Sequence, residues 1–317
     1  MRSSKSAMLA VLAAVGSGAA AAQECDRACI IGITDAYLAA IAANDPSAAP
    51  LADDIVFVEN VTRMKPGEGL WASATGGPTD FAIYVPDPVL QSAGWMGVVE
   101  RDDEPVLLAL RLAIEGGEIT EAEHLIAAPA GGNMERLQKP RPGLVTEIPA
   151  GRRLSHKTLI VLGATYYDAL DDNDGSKMPF ADDCQRHANG MITAGPQAGP
   201  GPNPDPNRAP VARDCAGQLD SQSFTYIDRI AHRRMVAADP VTGLVMGLSH
   251  FRHPMDNLPY QIIHVDGSTS ERNKENMPYD PFDMPAAHIF KIGPEGEVHE
   301  IEAVGFTAPY DSPTGWE

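Results

Sequence analysis

Basic residues are scarce in this chain. Its 317 residues include 24 Lys and Arg against 43 Asp and Glu, which gives a formal net charge of -19. Such an acidic surface repels phosphate backbones, and no cluster of Lys or Arg interrupts it. We therefore expect no nucleic-acid partner, and we interpret the acidic surface as an aid to solubility.

The chain also lacks the motifs of cofactor enzymes. It has no P-loop, dinucleotide fingerprint, nucleophile elbow or metal triad. The acidic stretch DDNDGSKMPFADD at residues 171–183 suggests a calcium loop. With Gly175 at loop position 6, however, Leu170 and Ala181 occupy positions 1 and 12, where an EF-hand needs oxygen ligands. We expect neither a metal nor a cofactor.

Long apolar runs are missing too. At the N-terminus, Arg2 and Lys5 precede a short apolar run over residues 7–15, and small residues follow up to residue 22. This order is typical of a secretory signal, and the run is too short to span a membrane. We predict a signal peptide over residues 1–22 and a secreted or periplasmic protein without a stable membrane anchor. An ordinary N-terminal helix is the alternative.

Cysteine is limited to four residues. In an oxidising compartment an even set predicts disulfides, and four cysteines allow three pairings. We favour Cys184–Cys215, which encloses a flexible segment, and Cys25–Cys29, one helical turn apart. A zinc site is the alternative, but neither a C-x-x-C spacing nor a histidine pair supports it.

What the chain does contain is an internal repeat. AYLAAIAANDPSAAPLADDIVFVEN begins at residue 36, and TYYDALDDNDGSKMPFADDCQRHAN begins 129 residues later. Two further matches follow in the same order, DPVLQSAGWMG with DPVTGLVMG and RLAIEGGEITEAE with KIGPEGEVHEIE. Three ordered matches indicate a duplicated domain.

Each copy shows the same pattern of elements. A helix ends in an N-D-P/G-S turn, a short helical segment is predicted around A-D-D, and strands follow. E-G-G-E and P-E-G-E are typical of the turn between the last two strands. We predict an α+β fold of two tandem cone-shaped domains, each with N-terminal helices packed on a curved antiparallel sheet.

The predicted boundaries follow from the repeat and from composition. The first domain covers residues 24–128, and a Pro- and Gly-rich linker covers 129–153. The second domain covers 154–308 with two insertions, one of them containing GPQAGPGPNPDPNRAP, and 309–317 form a tail.

With these units in place, the chain resembles a tandem of SnoaL-like domains, which belong to the cone-shaped superfamily named after nuclear transport factor two. It also resembles exported proteins of unassigned function that have a T-E-N strand, here Val58-Glu59-Asn60, and an M-P-x-x-H-x-F motif, here from Met284 to Phe290. The resemblance implies a ligand inside the cone and acid/base chemistry without a cofactor. It covers nearly all of the mature chain.

Glu59 is the first candidate catalytic residue. It shares a strand face with Ile55 and Phe57, so its carboxylate is expected in apolar surroundings that would suit a general base. The alternative is that Glu59 pairs with an arginine or lies at the wet end of its strand. The second copy has Ala188 at this position.

In the second copy, His250 and Arg252 continue the apolar face of LVMGL, and His288 lies in the M-P-x-x-H motif. All three are candidate catalytic residues, because imidazole and guanidinium groups can deprotonate and polarise a substrate. Alternatively, they form a hydrogen-bonded rim, or His288 has a structural role. Four further residues are candidates for binding the ligand: Asn60, Trp71, Trp95 and Tyr167. Tyr166 matches Tyr37, and we expect this shared aromatic to serve packing.

Two functions remain open at this point. The chain is either an exported lyase, isomerase or dehydratase acting on a small, partly apolar compound, or a non-catalytic binding or scaffold protein. In both cases the expected partner is a small molecule, and the tandem is either a monomeric pseudo-dimer or part of a homo-oligomer.

Overall fold

The computed structural model describes residues 24–132, 134–199 and 208–317. The signal peptide predicted for residues 1–22 lies outside these ranges, as do residues 200–207 of the first insertion. The helices are α1 (Arg27–Ala42), α2 (Leu70–Ser73), α3 (Pro142–Val145), α4 (His156–Asp171) and α5 (Cys215–Asp220). None of the helices in the described ranges has the length and apolar character needed to cross a bilayer.

Two seven-stranded sheets and a small hairpin complete the described structure. The first sheet contains β1 (Leu51–Glu59), β2 (Thr62–Met64), β3 (Ala74–Gly76), β4 (Ala82–Asp87), β5 (Ser92–Arg101), β6 (Glu104–Glu115) and β7 (Glu118–Ala127). The second contains β8 (Phe180–Ala188), β9 (Met191–Ala194), β10 (Arg229–Asp239), β11 (Leu244–His253), β14 (Phe282–Ile292), β15 (Val298–Gly305) and β16 (Ala308–Pro309). β12 (Tyr260–Ile263) and β13 (Thr269–Arg272) pair with each other inside the second insertion.

The strand order shows the duplication directly. The first sheet runs β2-β1-β7-β6-β5, with β4 on β5, and the second runs β9-β8-β15-β14-β11-β10. In each sheet the first strand lies parallel to the last one, β1 to β7 and β8 to β15, and the other pairs are antiparallel. The predicted α+β fold of two tandem cones is confirmed.

The helix that opens each domain begins and ends as its sequence predicts. Asp26 and Ser155 cap α1 and α4 by accepting hydrogen bonds from Cys29 N and Thr158 N. Each helix ends at an asparagine, Asn44 or Asn173, in the left-handed conformation. The following backbone N–H reaches back to the helix, as in a Schellman motif.

The short helix predicted around A-D-D is wrong in both copies. Residues 52–54 and 181–183 lie inside β1 and β8. The helical turn comes earlier, at Pro46–Ala48 and Gly175–Lys177, where Asp45 and Asp174 accept the N–H of the serine two residues on. The side chain-to-backbone hydrogen bonds that favour a helical turn form in these earlier segments. The A-D-D residues that follow are extended.

The two sheets pack against each other through the faces that point away from the helices. Their apolar side chains form one shared core, which includes Ile83, Val98 and Leu125 from the first domain and Met246, Leu248 and Ile289 from the second. Each sheet therefore has two buried faces: one covers its own helix, and the other meets the sister domain.

Both predicted disulfides are present. Cys25, just before α1, is bonded to Cys29 in the first turn of that helix, and Cys184–Cys215 ties β8 to α5. Glu123 of β7 and the equivalent Glu302 of β15 are buried. Each has an arginine partner, Arg234 across the domain interface for Glu123 and Arg141 of the linker for Glu302.

Candidate functional sites in the two cones

The space between α1 and the concave face of the first sheet is the first cone. Three buried polar side chains meet in it. The Tyr37 hydroxyl lies 2.9 Å from His124 Nε2, and His124 Nδ1 lies 3.2 Å from Glu59 Oε2. The backbone N–H of Leu70, at the start of α2, donates to both Glu59 oxygens. This chain of contacts joins α1, β1, β7 and α2.

The direction of the hydrogen bonds follows from the carboxylate. An ionised carboxylate only accepts, so His124 Nδ1 donates to Glu59, and in the neutral ring Nε2 accepts the Tyr37 proton. Burial raises the pKa of Tyr37, so its hydroxyl keeps its proton. The first cone therefore holds a fully hydrogen-bonded network that can position a proton but is satisfied without a ligand.

Aromatic rings fill the rest of the first cone. Trp71 packs edge-on against Tyr37 with ring centroids 5.1 Å apart, and Trp95 is completely buried in the same core. Both were candidates for binding a ligand, and both belong to the wall of this cone. Asn60 lies outside the cone in the β1–β2 turn, where its side chain bonds the backbone of Ile126.

The second cone lies between α4 and the second sheet, and a cleft reaches into it. The cleft is small and partly open to solvent. Phe180, Phe224 and Leu219 provide apolar wall, and Tyr166 and Arg186 provide polar groups. The disulfide-bonded Cys215 also lines it, so the Cys184–Cys215 bridge holds one wall of the cleft in place.

Arg186 organises the polar end of this cleft. Its Nε donates to the Tyr166 hydroxyl oxygen at 3.0 Å, and its Nη1 donates to Thr193 Oγ1 at 2.7 Å. Since the Tyr166 oxygen accepts from a guanidinium, its own proton is left to donate to another group. A hydroxyl polarised in this way is suited to binding a carbonyl or hydroxyl oxygen.

His288 lies next to this pair, completely buried in the second cone. Its ring stacks on Phe290 and lies 5.2 Å from the Tyr166 ring, between centroids. Neither ring nitrogen has a hydrogen-bond partner. Burial, with a smaller contribution from Arg186, holds the pKa of His288 well below its usual range, so the ring is neutral at physiological pH. Tyr167 is buried beside it, with ring centroids 5.8 Å apart.

The strand register shows how the polar groups differ between the cones. Glu59 pairs with His124, whereas the equivalent partners in the second sheet are Ala188 and Ala303. Conversely, two polar residues of the second cone lie where the first cone has apolar ones. His288 is equivalent to Leu110, and Arg186 is equivalent to Phe57. Of the polar residues that define these two sites, only the tyrosine on the helix, Tyr37 or Tyr166, is common to both.

His250 and Arg252 lie outside both cones, which corrects the expectation that they extend a cone's apolar face. They do continue the face of Leu244, Met246 and Leu248, but that face packs against the first domain. Arg252 is held in a buried ion pair with Asp283 and also donates to the backbone oxygen of Ser312. His250 lines a crevice between the domains.

Four residues of these sites were missed by sequence reasoning. His124 and Arg186 lie in strands whose cone-facing side could be recognised only once the strands were paired. Tyr37 and Tyr166 were interpreted as packing because an aromatic recurs at their position. The signal that could have identified them was the recurrence of a tyrosine at the same position of both copies. Tyr37 contacts His124 and Tyr166 contacts Arg186, so the shared tyrosine has a polar partner in each cone.

Residues 152–305, slightly less than half of the chain, match the model of a domain of unknown function (DUF8021). No curated protein sequence resembles the chain closely enough to count as a match.

Similar solved structures include putative polyketide cyclases, one of which is described as SnoaL-like. One is a putative polyketide cyclase from Silicibacter sp. TM1040, with 13% identity, a TM-score of 0.30 and coverage of 48% of this chain and 92% of that one. Another is a putative SnoaL-like polyketide cyclase from Jannaschia sp. CCS1, with 10% identity, a TM-score of 0.27 and coverage of 48% and 86%. A third is SalBIII, an epoxide hydrolase/cyclase-like enzyme in pyran ring formation of salinomycin, with 13% identity, a TM-score of 0.26 and coverage of 49% and 97%. These values carry no conclusion about activity, and the fold rests on the strand order and register.

Proposed function

We propose that the second cone is the working site of an exported enzyme that needs no cofactor and acts as a lyase, isomerase or dehydratase on a small, partly apolar carbonyl or hydroxyl compound. The observation that carries this proposal is the cleft that opens onto Tyr166 and Arg186. The cleft is small, which favours a small compound.

The proposed chemistry begins at the substrate oxygen. The Tyr166 proton hydrogen-bonds this oxygen, and the guanidinium of Arg186 stabilises the negative charge that develops on it when a neighbouring C–H bond is broken. The apolar wall of the cleft lowers the local dielectric, which strengthens both interactions. The products of this step are an enolate-like intermediate and one proton.

His288 is the proposed acceptor of that proton. Its neutral ring has a free lone pair, and both of its nitrogens are unbonded in a completely buried position. Such a ring is unprotonated and ready to act as a base, although its lowered pKa makes it a weak one. Tyr167 would hold the ring in place from the other side.

The case for export rests on the predicted signal over residues 1–22 together with the two disulfides. The described residues contain no free cysteine, and both bridges are of the kind that persists in oxidising compartments.

Exchange of substrate C–H hydrogens with D₂O tests the proposal without requiring the natural substrate. Small ketones and hydroxy ketones are incubated with the protein, and deuterium uptake is followed by NMR. Arg186→Met and Tyr166→Phe should each lower the exchange rate at least about 100-fold, the scale of losing an oxyanion donor. Glu59→Gln, in the first cone, is the matched control and should retain the rate.

The opposite pattern, loss in Glu59→Gln and retention in Arg186→Met, would contradict the proposal and assign the activity to the first cone. The alternative function is a non-catalytic binding or scaffold protein, and the packed first cone, in which Tyr37, His124 and Glu59 are bonded to one another, favours a structural role for that domain. Saturable binding of the ketones in the second cone without any exchange would decide for this alternative.

A further inference from the structure

The two disulfides differ in how easily a reagent can reach them. Cys184 and Cys215 are 2% and 6% exposed and belong to the core of the second domain. In the other bridge Cys25 is 5% exposed, but Cys29 lies at the surface in the first turn of α1. Thiol–disulfide exchange requires direct attack on a sulfur atom. A small thiol can therefore approach Cys29, whereas the Cys184–Cys215 bridge is shielded until the domain core opens.

The fold does not need the bridge in α1. Both α1 and α4 begin with a capping side chain, Asp26 or Ser155, and the residues of α4 at the two cysteine positions are Leu154 and Thr158. Leu154 packs against the core of its domain, and Thr158 is exposed. The second domain thus builds the same helix start with one apolar and one polar residue, so we expect α1 to keep its structure when the two thiols are reduced.

The lengths of the loops that the bridges close support the same distinction. Cys25 and Cys29 are 4 residues apart, whereas Cys184 and Cys215 are 31 apart. In the chain-entropy account, the constraint on the unfolded chain grows as roughly the 3/2 power of loop length, so the longer bridge favours folding about 20-fold more than the shorter one. Reduction of the short bridge therefore leaves most of the folding equilibrium intact.

Gln91 holds Cys25 in place independently of the sulfur atoms. Its Oε1 accepts the Cys25 N–H at 2.8 Å, and its Nε2 donates to the Cys25 carbonyl oxygen at 2.9 Å. Gln91 directly precedes β5 with φ +48°, and the equivalent residue before β11 is Gly243, with the same backbone hydrogen bond to the neighbouring strand. A positive φ is less favourable for glutamine than for glycine. The side chain of Gln91 keeps a reduced Cys25 close to Cys29.

The surface around Cys29 is acidic. Glu24 and Asp26 are exposed beside the bridge, and the Asp26 carboxylate accepts the Cys29 N–H at 2.9 Å. The nearby Arg27 is already paired with the buried Asp239 of the second domain. Negative charge at this position repels an approaching anion. The site therefore favours thiols that carry no negative group besides the reacting thiolate.

We propose that Cys25–Cys29 is a reversible thiol–disulfide site for such small thiols, and that Cys184–Cys215 is structural. The thiolate of the small thiol attacks Cys29 Sγ and forms a mixed disulfide, while the bond to Cys25 breaks and Cys25 Sγ leaves with the electron pair and takes a proton from water. This chemistry is independent of the function proposed for the second cone.

A second small thiol completes the reduction. It attacks the small-molecule sulfur of the mixed disulfide, which releases the oxidised small molecule as a disulfide and leaves Cys29 as a thiol. Two thiols are oxidised for the two electrons that the bridge takes up. In the reverse direction, Cys25 attacks the mixed disulfide at Cys29 and closes the bridge, which is the resting form in an oxidising compartment.

Partial reduction of the full chain by cysteamine tests the proposal. Free thiols are trapped with iodoacetamide at intervals and located by peptide mapping. The Cys25–Cys29 bridge should be reduced at least about 100-fold faster than Cys184–Cys215, because the second bridge requires opening of a core. The circular dichroism spectrum should stay unchanged meanwhile. Equal rates for the two bridges, or reduction of Cys25–Cys29 only after the folded spectrum is lost, would overturn the proposal.

Two variants test which sulfur is attacked. Cys25→Ser leaves Cys29 as an exposed thiol, which should form a mixed disulfide with cystamine. Cys29→Ser leaves Cys25 buried, and its thiol should react at least about tenfold more slowly. Equal reactivity, or faster reaction of Cys25, would contradict the assigned direction of attack.

The positioning role of Gln91 is tested by closure of the bridge. After reduction, Gln91→Ala should re-form Cys25–Cys29 with cystamine at least about threefold more slowly than wild type, the scale of one lost hydrogen bond. Gln138→Ala, at an exposed glutamine of the linker, is the matched control. Unchanged closure in Gln91→Ala would show that Gln91 does not position Cys25.

The charge preference is tested by salt. The thiolate of thioglycolate carries two negative charges, whereas that of cysteamine is zwitterionic. Raising the ionic strength from about 10 mM to about 1 M should speed reduction of Cys25–Cys29 by thioglycolate at least about threefold and change the rate with cysteamine less. A rate with thioglycolate that does not rise with salt would contradict the preference for thiols without a negative group.

Discussion

The first and second cones share a strand order, a register and a helix with a buried tyrosine, yet their interiors work in opposite ways. In the first cone every member of the Tyr37–His124–Glu59 network has a partner, and two tryptophans, whose indole nitrogens have none, complete the packing. In the second, a cleft reaches Tyr166 and Arg186, and His288 is buried with both nitrogens unbonded. A satisfied network stabilises a fold, whereas an unsatisfied one is expected where a ligand completes it.

The duplication provides an internal control for this distinction. Ala188 and Ala303 show that the fold does not need the Glu59–His124 pair, and Leu110 shows that it does not need His288. Each cone therefore carries polar residues that its sister replaces with apolar ones. The polar groups are specific to a domain rather than to the fold.

The largest expected change in stability comes from replacing a cone histidine by phenylalanine, and the first cone should show it most strongly. His124→Phe leaves the Tyr37 hydroxyl and one side of the Glu59 carboxylate unpaired in a dry core. We expect the free energy of unfolding to fall by about 3 kcal/mol, because buried polar and charged groups that lose a partner are costly. Urea denaturation measures the change. A loss below about 1 kcal/mol would mean that the network is not stabilising.

Glu302, buried in β15, should make the stability of the protein depend on pH. Burial, opposed by Arg141, raises the pKa of Glu302 to about 7. The folded state therefore holds this proton at pH values where the unfolded state has released it, and stability contributed by Glu302 declines as pH rises from about 4.5 to 7. Glu302→Gln should remove about 2–3 kcal/mol of that decline.

Urea denaturation of wild type and Glu302→Gln at pH 5 and pH 8 measures this difference, with the exposed Glu115→Gln as the control. Equal pH dependence in wild type and Glu302→Gln would show that Glu302 is ionised in the folded protein throughout the range.

In the second cone the histidine substitution should have the opposite sign. His288→Phe removes two unbonded nitrogens and replaces the imidazole by an apolar ring in the cluster of Tyr166, Tyr167 and Phe290. We expect the free energy of unfolding to rise by about 1–2 kcal/mol, while C–H exchange in the second cone is lost. His124→Phe is the matched control. A destabilisation of similar size in both variants would contradict the claim that the histidine stabilises the first cone but not the second.

The smallest expected effect concerns the acidic turns that the two domains share. Asp174 caps a turn, Asp171 and Asp172 pair with Arg233 and Lys177, and Asp183 pairs with His299. In the described residues no group of three or more His, Cys, Asp or Glu side chains is arranged to hold a metal. We expect millimolar calcium to leave the melting temperature unchanged, as measured by scanning calorimetry. A calcium-dependent rise in that temperature would contradict this assignment.

The sequence by itself determined the duplication, the α+β class, the helix ends and the disulfide pairs. Each of these depends on local chemistry or on spacing along the chain: Asn44 and Asn173 end their helices through their own backbone, and Cys25 and Cys29 lie one turn apart. The sequence also placed Glu59 on a strand face shared with large apolar side chains, because side chains alternate along a strand.

Only the tertiary structure decided which side of each strand faces a cone. Both faces of each sheet are buried, one against its helix and one against the sister sheet. The apolar run that continues into His250 and Arg252 therefore did not show whether its side chains face the helix or the sister sheet. The pairing of Glu59 with His124 and of Tyr166 with Arg186 likewise joins residues far apart in the chain. Such contacts depend on strand order and register, which alternation along one strand does not contain.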